Sequence, residues 1–455
     1  MAVMSKKLPI VAIVGRANVG KSSLYNAILN RREAIVAREA GTTRDSIAAR
    51  AEHAGRHFWL VDTAGIKDPA DDFEFTIQEQ VAQAADSADV IWVVVEADVP
   101  VTEDDRRVAK MALRSRKPVC LVVNKADRAK GQDLSGFERL GIKPIVHTST
   151  TQHSGIAQLL DKLVEVIPKA TEREVGNRLR IAIVGRPNVG KSQLFNSLAK
   201  KQQAIVADQA GTTRDVNRAR VKYQGREVEL LDTAGIRRSG KIEVGIERFS
   251  VIRALAAIEA ADVCLLLMDV NELNVQLDQK IAGLVKDAGR GLVLVVSKWD
   301  AVEGKDAFTR DDLAPKIVHN FDFVPWAPLI FTSSVTGQNV TKLFDLALEI
   351  DRERKKRLAT PELNKWLRQA VDEHPPAGLK NRTPKLNYMV QETDNPTPAF
   401  KIFASHSRFV HWSYRRYLET QLRRAYGYEG TPLQLWFIEK HLTHKHGFSP
   451  TKETK

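Results

Sequence analysis

The sequence predicts an α/β chain: two tandem, doubly wound, mostly parallel sheets followed by a small α+β domain. Three observations carry this. A set of short motifs recurs at a fixed offset of 170 residues, strand-like apolar runs alternate with helical stretches through both copies, and the pattern changes beyond Ile350.

Taking the chain in order, Ile10 to Val14 is a β-branched run that reads as a buried parallel strand, and Ser23 to Asn30 is the helix after it. Further strand-like runs follow at Phe58 to Val61, Val90 to Val95 and Val119 to Val123, with a helical stretch at Asp104 to Ser115. The second copy repeats them at Ile181 to Val184, Val228 to Leu231, Val263 to Met268 and Leu292 to Val296. A solenoid needs a period of a few tens of residues, so an offset this long means duplication of a whole domain. The seam around Lys169 to Glu174 is short, polar and charged, and reads as a linker. After Ile350 comes a basic helix start, Arg352 to Arg357, then a Thr360-Pro361 cap and a helix from Glu362 to Glu373, stopped by Pro375-Pro376. Two strands (Lys385 to Gln391, Phe400 to Ala404), a helix (Ser413 to Tyr426) and a last strand (Leu433 to Ile438) complete an αββαβ order. The expected divisions are 1–168, a linker at 169–178, 179–352, 353–440, and a basic tail at 441–455.

No window approaches the roughly 18 apolar residues of a membrane span, and the N-terminus lacks an apolar signal core, so a cytoplasmic protein is expected. Cys120 and Cys264 each sit inside an apolar run and read as buried core residues, not as ligands or disulfide partners. The net charge of +13 is unevenly spread: residues 353–455 hold 19 Lys and Arg against 10 Asp and Glu, and six of the eleven histidines. An anionic partner for this quarter of the chain follows, with RNA the leading candidate.

The repeated motifs carry chemistry. Gly15-Arg16-Ala17-Asn18-Val19-Gly20-Lys21-Ser22 and Gly185-Arg186-Pro187-Asn188-Val189-Gly190-Lys191-Ser192 each follow a strand and open a helix, the arrangement of a phosphate-binding loop. Glycines let the backbone close around phosphate oxygens, Lys21 and Lys191 supply point charges, and the Ser22 and Ser192 hydroxyls coordinate Mg²⁺. Asp62-Thr63-Ala64-Gly65-Ile66 and Asp232-Thr233-Ala234-Gly235-Ile236 hold that Mg²⁺ through water and offer a glycine N–H to the γ-phosphate. In Gly41-Thr42-Thr43-Arg44-Asp45 and its copy Gly211-Thr212-Thr213-Arg214-Asp215, one threonine of each pair supplies the expected second Mg²⁺ hydroxyl, Thr43 and Thr213 being preferred over Thr42 and Thr212. Asn124-Lys125-Ala126-Asp127 and Ser297-Lys298-Trp299-Asp300 choose the base: one ionised carboxylate accepts both N1–H and the 2-amino group of guanine, whereas adenine has a lone pair at N1 and no amine at position 2. The expected catalytic set is therefore Lys21, Asp62 and Gly65, with Lys191, Asp232 and Gly235. Ile66 and Ile236 cannot orient water, so hydrolysis needs help from a cation or a partner, and Asn18 and Asn188 can hold a monovalent cation.

With both motif sets in hand, the chain resembles the bacterial double-GTPase ribosome-assembly family Der (EngA), among the TrmE-Era-EngA-like GTPases. Its stretch from Ile236 to Ile242, followed by Glu247 to Ile258, looks like that family's second switch, and Arg382 to Val390, Ser413 to Tyr417 and Gly430 to Phe437 resemble a KH-like module. The resemblance implies GTP hydrolysis coupled to maturation of the large ribosomal subunit, K⁺ stimulation through Asn18 and Asn188, and a KH-like domain packed between the GTPase domains. It also implies GTP and GDP as ligands, the large subunit or its precursor rRNA as partner, no membrane, and a monomer. Ser149-Thr150 and Ser333-Ser334 align with the family's Ser-Ala loop, whose backbone meets guanine O6. Ser297 replaces the family's asparagine, from which weaker binding at the second site is expected. The KH-like part lacks a Gly-x-x-Gly loop, so docking on structured rRNA through Lys and Arg is preferred over single-strand readout. A second reading keeps the second GTPase domain as a sensor that binds GTP without turning it over.

Overall fold

The strongest strand signals, Ile10–Val14 and Leu179–Gly185, lie in the middle of two six-stranded sheets, where both faces are covered and a continuous apolar run is what burial demands. The computed structural model describes residues 4–30, 48–63, 77–129, 133–167, 171–174, 178–201, 217–232, 251–306, 308–377, 382–393 and 395–439. Thr43, Thr213 and the stretches Ala64 to Ile66 and Thr233 to Ile236 lie outside these residues, as does the tail from 440.

The first part of the chain runs β1 (Met4–Lys7), β2 (Ile10–Val14), α1 (Lys21–Leu29), β3 (Ala48–His53), β4 (Arg56–Asp62), α2 (Ile77–Ser87), β5 (Val90–Glu96), α3 (Glu103–Arg114), β6 (Val119–Asn124), β7 (Ile145–His147) and α4 (Ile156–Val166). A short strand, β8 (Thr171–Glu174), leads into the repeat: β9 (Leu179–Gly185), α5 (Lys191–Lys201), β10 (Asn217–Tyr223), β11 (Arg226–Asp232), α6 (Val251–Ala260), β12 (Val263–Asp269), α7 (Gln276–Asp287), β13 (Gly291–Ser297), α8 (Thr309–Asn320), β14 (Leu329–Phe331) and α9 (Lys342–Lys355). The sheets have the same order, β3-β4-β2-β5-β6-β7 and β10-β11-β9-β12-β13-β14, with only the edge strands β3 and β10 antiparallel. β8 lies inside the segment read as a linker and pairs antiparallel with β1, setting Lys6 opposite Glu172.

One apolar cluster fills the face of the first sheet under α1 and α4, and a matching cluster underlies α5 and α9 in the second. The opposite faces of both sheets share one continuous core, because α2 of the first domain packs on α6 of the second. Polar groups seal that junction. Buried Glu259 accepts from the Trp59 indole Nε1 at 2.8 Å and from the Arg290 guanidinium at 2.9 Å, and Arg50 donates to the Asp287 carbonyl at 2.9 Å.

The third domain is α10 (Thr360–Glu373), β15 (Lys385–Glu392), β16 (Ala399–Ser405), α11 (Trp412–Tyr426) and β17 (Gln434–Glu439), the expected αββαβ order around a core that includes Leu363, Leu367, Ile402, Leu418 and Leu422. The basic run from Arg352 is the end of α9 rather than a helix start. Cations suit that end of the helix dipole, and the buried Arg354 donates to the carbonyls of Gly289 and Pro396. Thr397 Oγ1 also donates to Gly289 O (2.7 Å), and Leu292 N to Gly430 O (2.9 Å), so the third domain docks on the second. Among the described residues, hydrogen bonds join the second GTPase domain to the first through Trp59 and Glu259, and to the third through Thr397 and Gly289.

Both cysteines are buried, and burial alone pushes the Cys120 thiol up to about 12. No helix among the described residues is long and apolar enough to cross a membrane.

Candidate functional site

Parallel strands deliver their carboxyl ends to one edge of each sheet, and that is where the motifs gather. The register sets Ile13 beside Asp62, Val14 beside Val93 and Glu96 beside Asn124; in the second sheet it sets Ile183 beside Asp232 and Asp269 beside Ser297. The loop after β2 turns through a left-handed Asn18 (φ 65°), and the loop after β9 through a left-handed Asn188 (φ 61°), both exposed. Gly15 and Gly185 are required by crowding: a Cβ would lie 2.4 Å from Val94 O in one and 2.6 Å from Leu267 O in the other. Helix α1 starts at Lys21 behind Gly20, which has no side chain to cap it, so the first N–H groups of the helix face the loop's interior, a ready anion site.

The loop lysines are buried and fold onto their own loops. Lys21 Nζ donates to the carbonyls of Gly15 (2.8 Å) and Arg16 (2.7 Å), and Lys191 Nζ to that of Arg186 (2.5 Å). Ser22 and Ser192, one residue on, are exposed at the helix starts. Asp62 and Asp232 are buried at the ends of their strands, and Thr63 is fixed by donating Oγ1 to Ile13 O at 2.7 Å. A serine hydroxyl and a carboxylate form an all-oxygen donor set, which fits a hard cation such as Mg²⁺.

The guanidiniums of Arg16 and Arg186, both within the expected nucleotide loops, are engaged elsewhere. Arg16 pairs with Glu96 (3.2 Å) and Asp105 (3.4 Å), Arg186 with Glu272 (2.9 Å) and Asp278 (3.1 Å). Burial pushes the Asp278 carboxyl up to about 7 in spite of the guanidinium. These residues present backbone to the loop and use their side chains to brace it.

The base loops are joined to the phosphate loops from below. Fully buried Asn124 donates Nδ2 to Val19 O at 2.9 Å and accepts from Thr148 Oγ1 at 3.1 Å. In the second copy the amide is absent, and a hydroxyl contact stands in its place. Ser297 Oγ lies 2.7 Å from Val189 O, the carbonyl equivalent to Val19 O, and 3.0 Å from Met268 O; its one hydrogen has the nearer acceptor in the phosphate loop, so the shorter side chain spans the same gap. What the serine does not fill is the space over the loop: a Cβ on Gly20 would meet Asn124 Nδ2 at 2.3 Å, whereas one on Gly190 has nothing nearer than Gln193 Oε1 at 4.0 Å.

Lys125 and Lys298 both adopt left-handed backbone (φ 59° and 56°). Their amines run along the site: Lys125 Nζ donates to Asn18 O at 2.9 Å and pairs with Glu96, and Lys298 Nζ pairs with Asp269 at 2.6 Å. Burial opposes ionisation of Glu96, but Lys125 and Arg16 outweigh it and hold its carboxyl below the usual range. Asp127 is held below its ordinary range chiefly by the Ser149 hydroxyl, and Ser333 Oγ donates to Asp300 at 2.5 Å. Ala126 N donates to Thr148 O and Trp299 N to Thr332 O, so the Ser149-Thr150 and Ser333-Ser334 loops sit beside their base carboxylates in the same register. Trp299 adds a buried edge contact with Phe331. Glu96 and Asp269 were not singled out from the sequence, although each is the acidic residue closing an apolar run, at the same offset as the base lysines.

The comparisons with known proteins agree with this geometry. The family of 50S ribosome-binding GTPases matches residues 10–125 and again 180–298, and the KH-domain-like family from the C-terminus of EngA bacterial GTPase enzymes matches 357–437. GTPase Der of Herpetosiphon aurantiacus is 43% identical over 94% of this chain and 96% of its own length. GTPase Der of Chloroflexus aggregans is 44% identical over 94% and 97%, and that of Thermomicrobium roseum 41% over 95% and 96%. With two nucleotide-type sites of matching build ahead of a KH-like domain, and likeness along almost all of both chains, this protein belongs to the GTPase Der family.

Proposed function

We propose that this GTPase acts in large-subunit ribosome assembly, binding a pre-ribosomal particle in one nucleotide state and leaving it in another. The observation that carries the reading is the doubled tie between base loop and phosphate loop, Asn124 to Val19 O and Ser297 to Val189 O, which supports two working guanine-nucleotide sites. In each, Asp127 or Asp300 reads the guanine edge. Lys21 or Lys191 leaves its loop carbonyls for the β- and γ-phosphates, and Ser22 with Thr43, or Ser192 with Thr213, holds Mg²⁺ near Asp62 or Asp232. Gly65 and Gly235 meet the γ-phosphate, so its loss releases the loop. Bound Mg²⁺ supplies charge neutralisation at the phosphates. Asn18 and Asn188, exposed beside the lysines, take K⁺, which does the work that Ile66 and Ile236 cannot do. The KH-like domain, rich in Lys and Arg, meets rRNA, and the protein works in the cytoplasm as a monomer.

The test has two parts. Turnover by the purified chain should be faster in potassium than in sodium, and Lys21→Ala and Lys191→Ala should each remove part of it. Sedimentation with large-subunit particles should differ between GTP analogue, GDP and no nucleotide; identical binding in all three sinks the switch. If Lys191→Ala leaves turnover whole, the second domain is a sensor instead, one that binds GTP through the same Ser297 tie without turning it over.

A further inference from the structure

Among the described residues, the third domain's sheet has one face under its helices and one without them. Met389, Phe400 and Ile402 point into the core under α10 and α11. Alternation then puts Tyr388, Val390, Lys401, Phe403, Trp436 and Ile438 on the other face. The register gathers them: Tyr388 and Ile438 flank Phe403, and Val390 and Trp436 flank Lys401. None of these apolar residues joins a core cluster, and Tyr388 and Trp436 are 41% and 38% exposed. A sheet with one wet face ordinarily makes that face polar, so three aromatic side chains there mark a surface that a partner covers.

The chemistry of the face favours one partner. Tyr388 and Phe403 stack face to face across strands at 4.3 Å with planes 10° apart, so each covers one face of the other, and Lys401, paired with Glu392 on the same face, holds its Nζ 6.0 Å from the Trp436 ring centre. Lys401 is neutralised locally by Glu392, so the positive complement is the surplus of this quarter of the chain, 19 Lys and Arg against 10 Asp and Glu; aromatic rings set in such a domain complement a chain of bases joined by phosphates. We propose that the open face of the β15-β16-β17 sheet stacks unpaired bases of single-stranded RNA, with Trp436 and the Tyr388-Phe403 pair as platforms and Lys401 beside the backbone. This replaces docking through Lys and Arg alone, and it rests on the reading that the third domain meets RNA. It gives this domain a way to hold single strands without a Gly-x-x-Gly loop.

The experiment uses the full chain and two probes, a fluorescein-labelled oligouridylate and an RNA duplex of equal length. Trp436→Ala and Tyr388→Ala should each weaken oligouridylate binding by about 5- to 150-fold, the range of a lost base stack. Duplex binding should stay within about twofold, because phosphate contacts carry it. Trp436→Phe, which keeps a ring, should recover most of the loss, and a far-ultraviolet circular dichroism spectrum and thermal unfolding profile matching wild type show that the variants are folded. Equal loss for both probes, or no loss in either variant, overturns the stacking face. So does a wild-type chain that ignores the oligouridylate, which leaves a protein partner as the cover. Nucleotide-dependent sedimentation with large-subunit particles is read on the same variants: if it persists while stacking fails, only this inference falls.

Discussion

Replacing Asn124 by serine should cost the first GTPase domain much less than replacing it by alanine, because the second domain already shows a serine doing the same job. Asn124 makes two buried hydrogen bonds, to Val19 O and from Thr148 Oγ1. Alanine removes both and leaves a carbonyl and a hydroxyl in the interior, at about 1–2 kcal/mol each, so a total of about 2–4 kcal/mol is expected. Serine at that position should reach Val19 O as Ser297 reaches Val189 O, and only the Thr148 contact is lost, about 1 kcal/mol. Because this tie holds base loop to phosphate loop, the cost falls on nucleotide binding. GTP affinity of the first site, measured in a Lys191→Ala background, should drop about 5-fold for Asn124→Ser and about 30- to 1,000-fold for Asn124→Ala. Equal losses for the two variants would refute the equivalence of the serine and asparagine ties; wild-type affinity in Asn124→Ala would refute the tie itself.

Other expectations follow from the same geometry. Gly20→Ala should harm its site at least about tenfold more than Gly190→Ala harms the other, since both bear the strain of φ near 93° but only the first Cβ displaces Asn124; titration of each site separately decides it. Glu259→Ala leaves the buried Arg290 guanidinium without its carboxylate at the domain junction and should lower unfolding stability in urea by about 3–5 kcal/mol, with Glu259→Gln losing less. Glu96 has its pKa lowered from 4.5, so its stabilising contribution is complete above that value and disappears as pH falls through the lowered one. The stability gap between wild type and Glu96→Gln should accordingly be open at neutral pH and close on acidification.

Much of the fold was legible because burial on both faces writes strands such as Val90–Glu96 and Val263–Asp269 as unbroken apolar runs. The edge strands Ala48–His53 and Asn217–Tyr223 mix arginine with alanine or valine and carry no such run, and Ile145–His147 and Leu329–Phe331 are too short to stand out. The β1-β8 pair has no apolar signature at all: its register joins Met-Ser-Lys-Lys to Thr-Glu-Arg-Glu across most of a domain, a pairing that local sequence cannot announce. In the site, the phosphate and base loops were readable because their chemistry fixes residue types at fixed spacings. The braces were not. Glu96, Asp105 and Asp278 act through distance in space, and Glu259, at the end of an alanine-rich helix, reads in sequence as an ordinary solvated acid.

The contact of α2 with α6 joins equivalent helices of the two repeats, the arrangement that two copies of a single ancestral domain would make about a twofold axis. In a symmetric dimer every substitution appears on both sides of the axis. A buried acid at the position of Glu259 would then be present twice in one interface, with like charges brought toward each other. Joining the copies in one chain lifts that constraint. The counterpart of Glu259 in the first repeat is Asp86, half exposed and paired with Arg253, so one side has gained a buried anchor for Trp59 while the other kept a solvated ion pair. Tandem fusion thus lets an interface that began with matched halves diverge one side at a time.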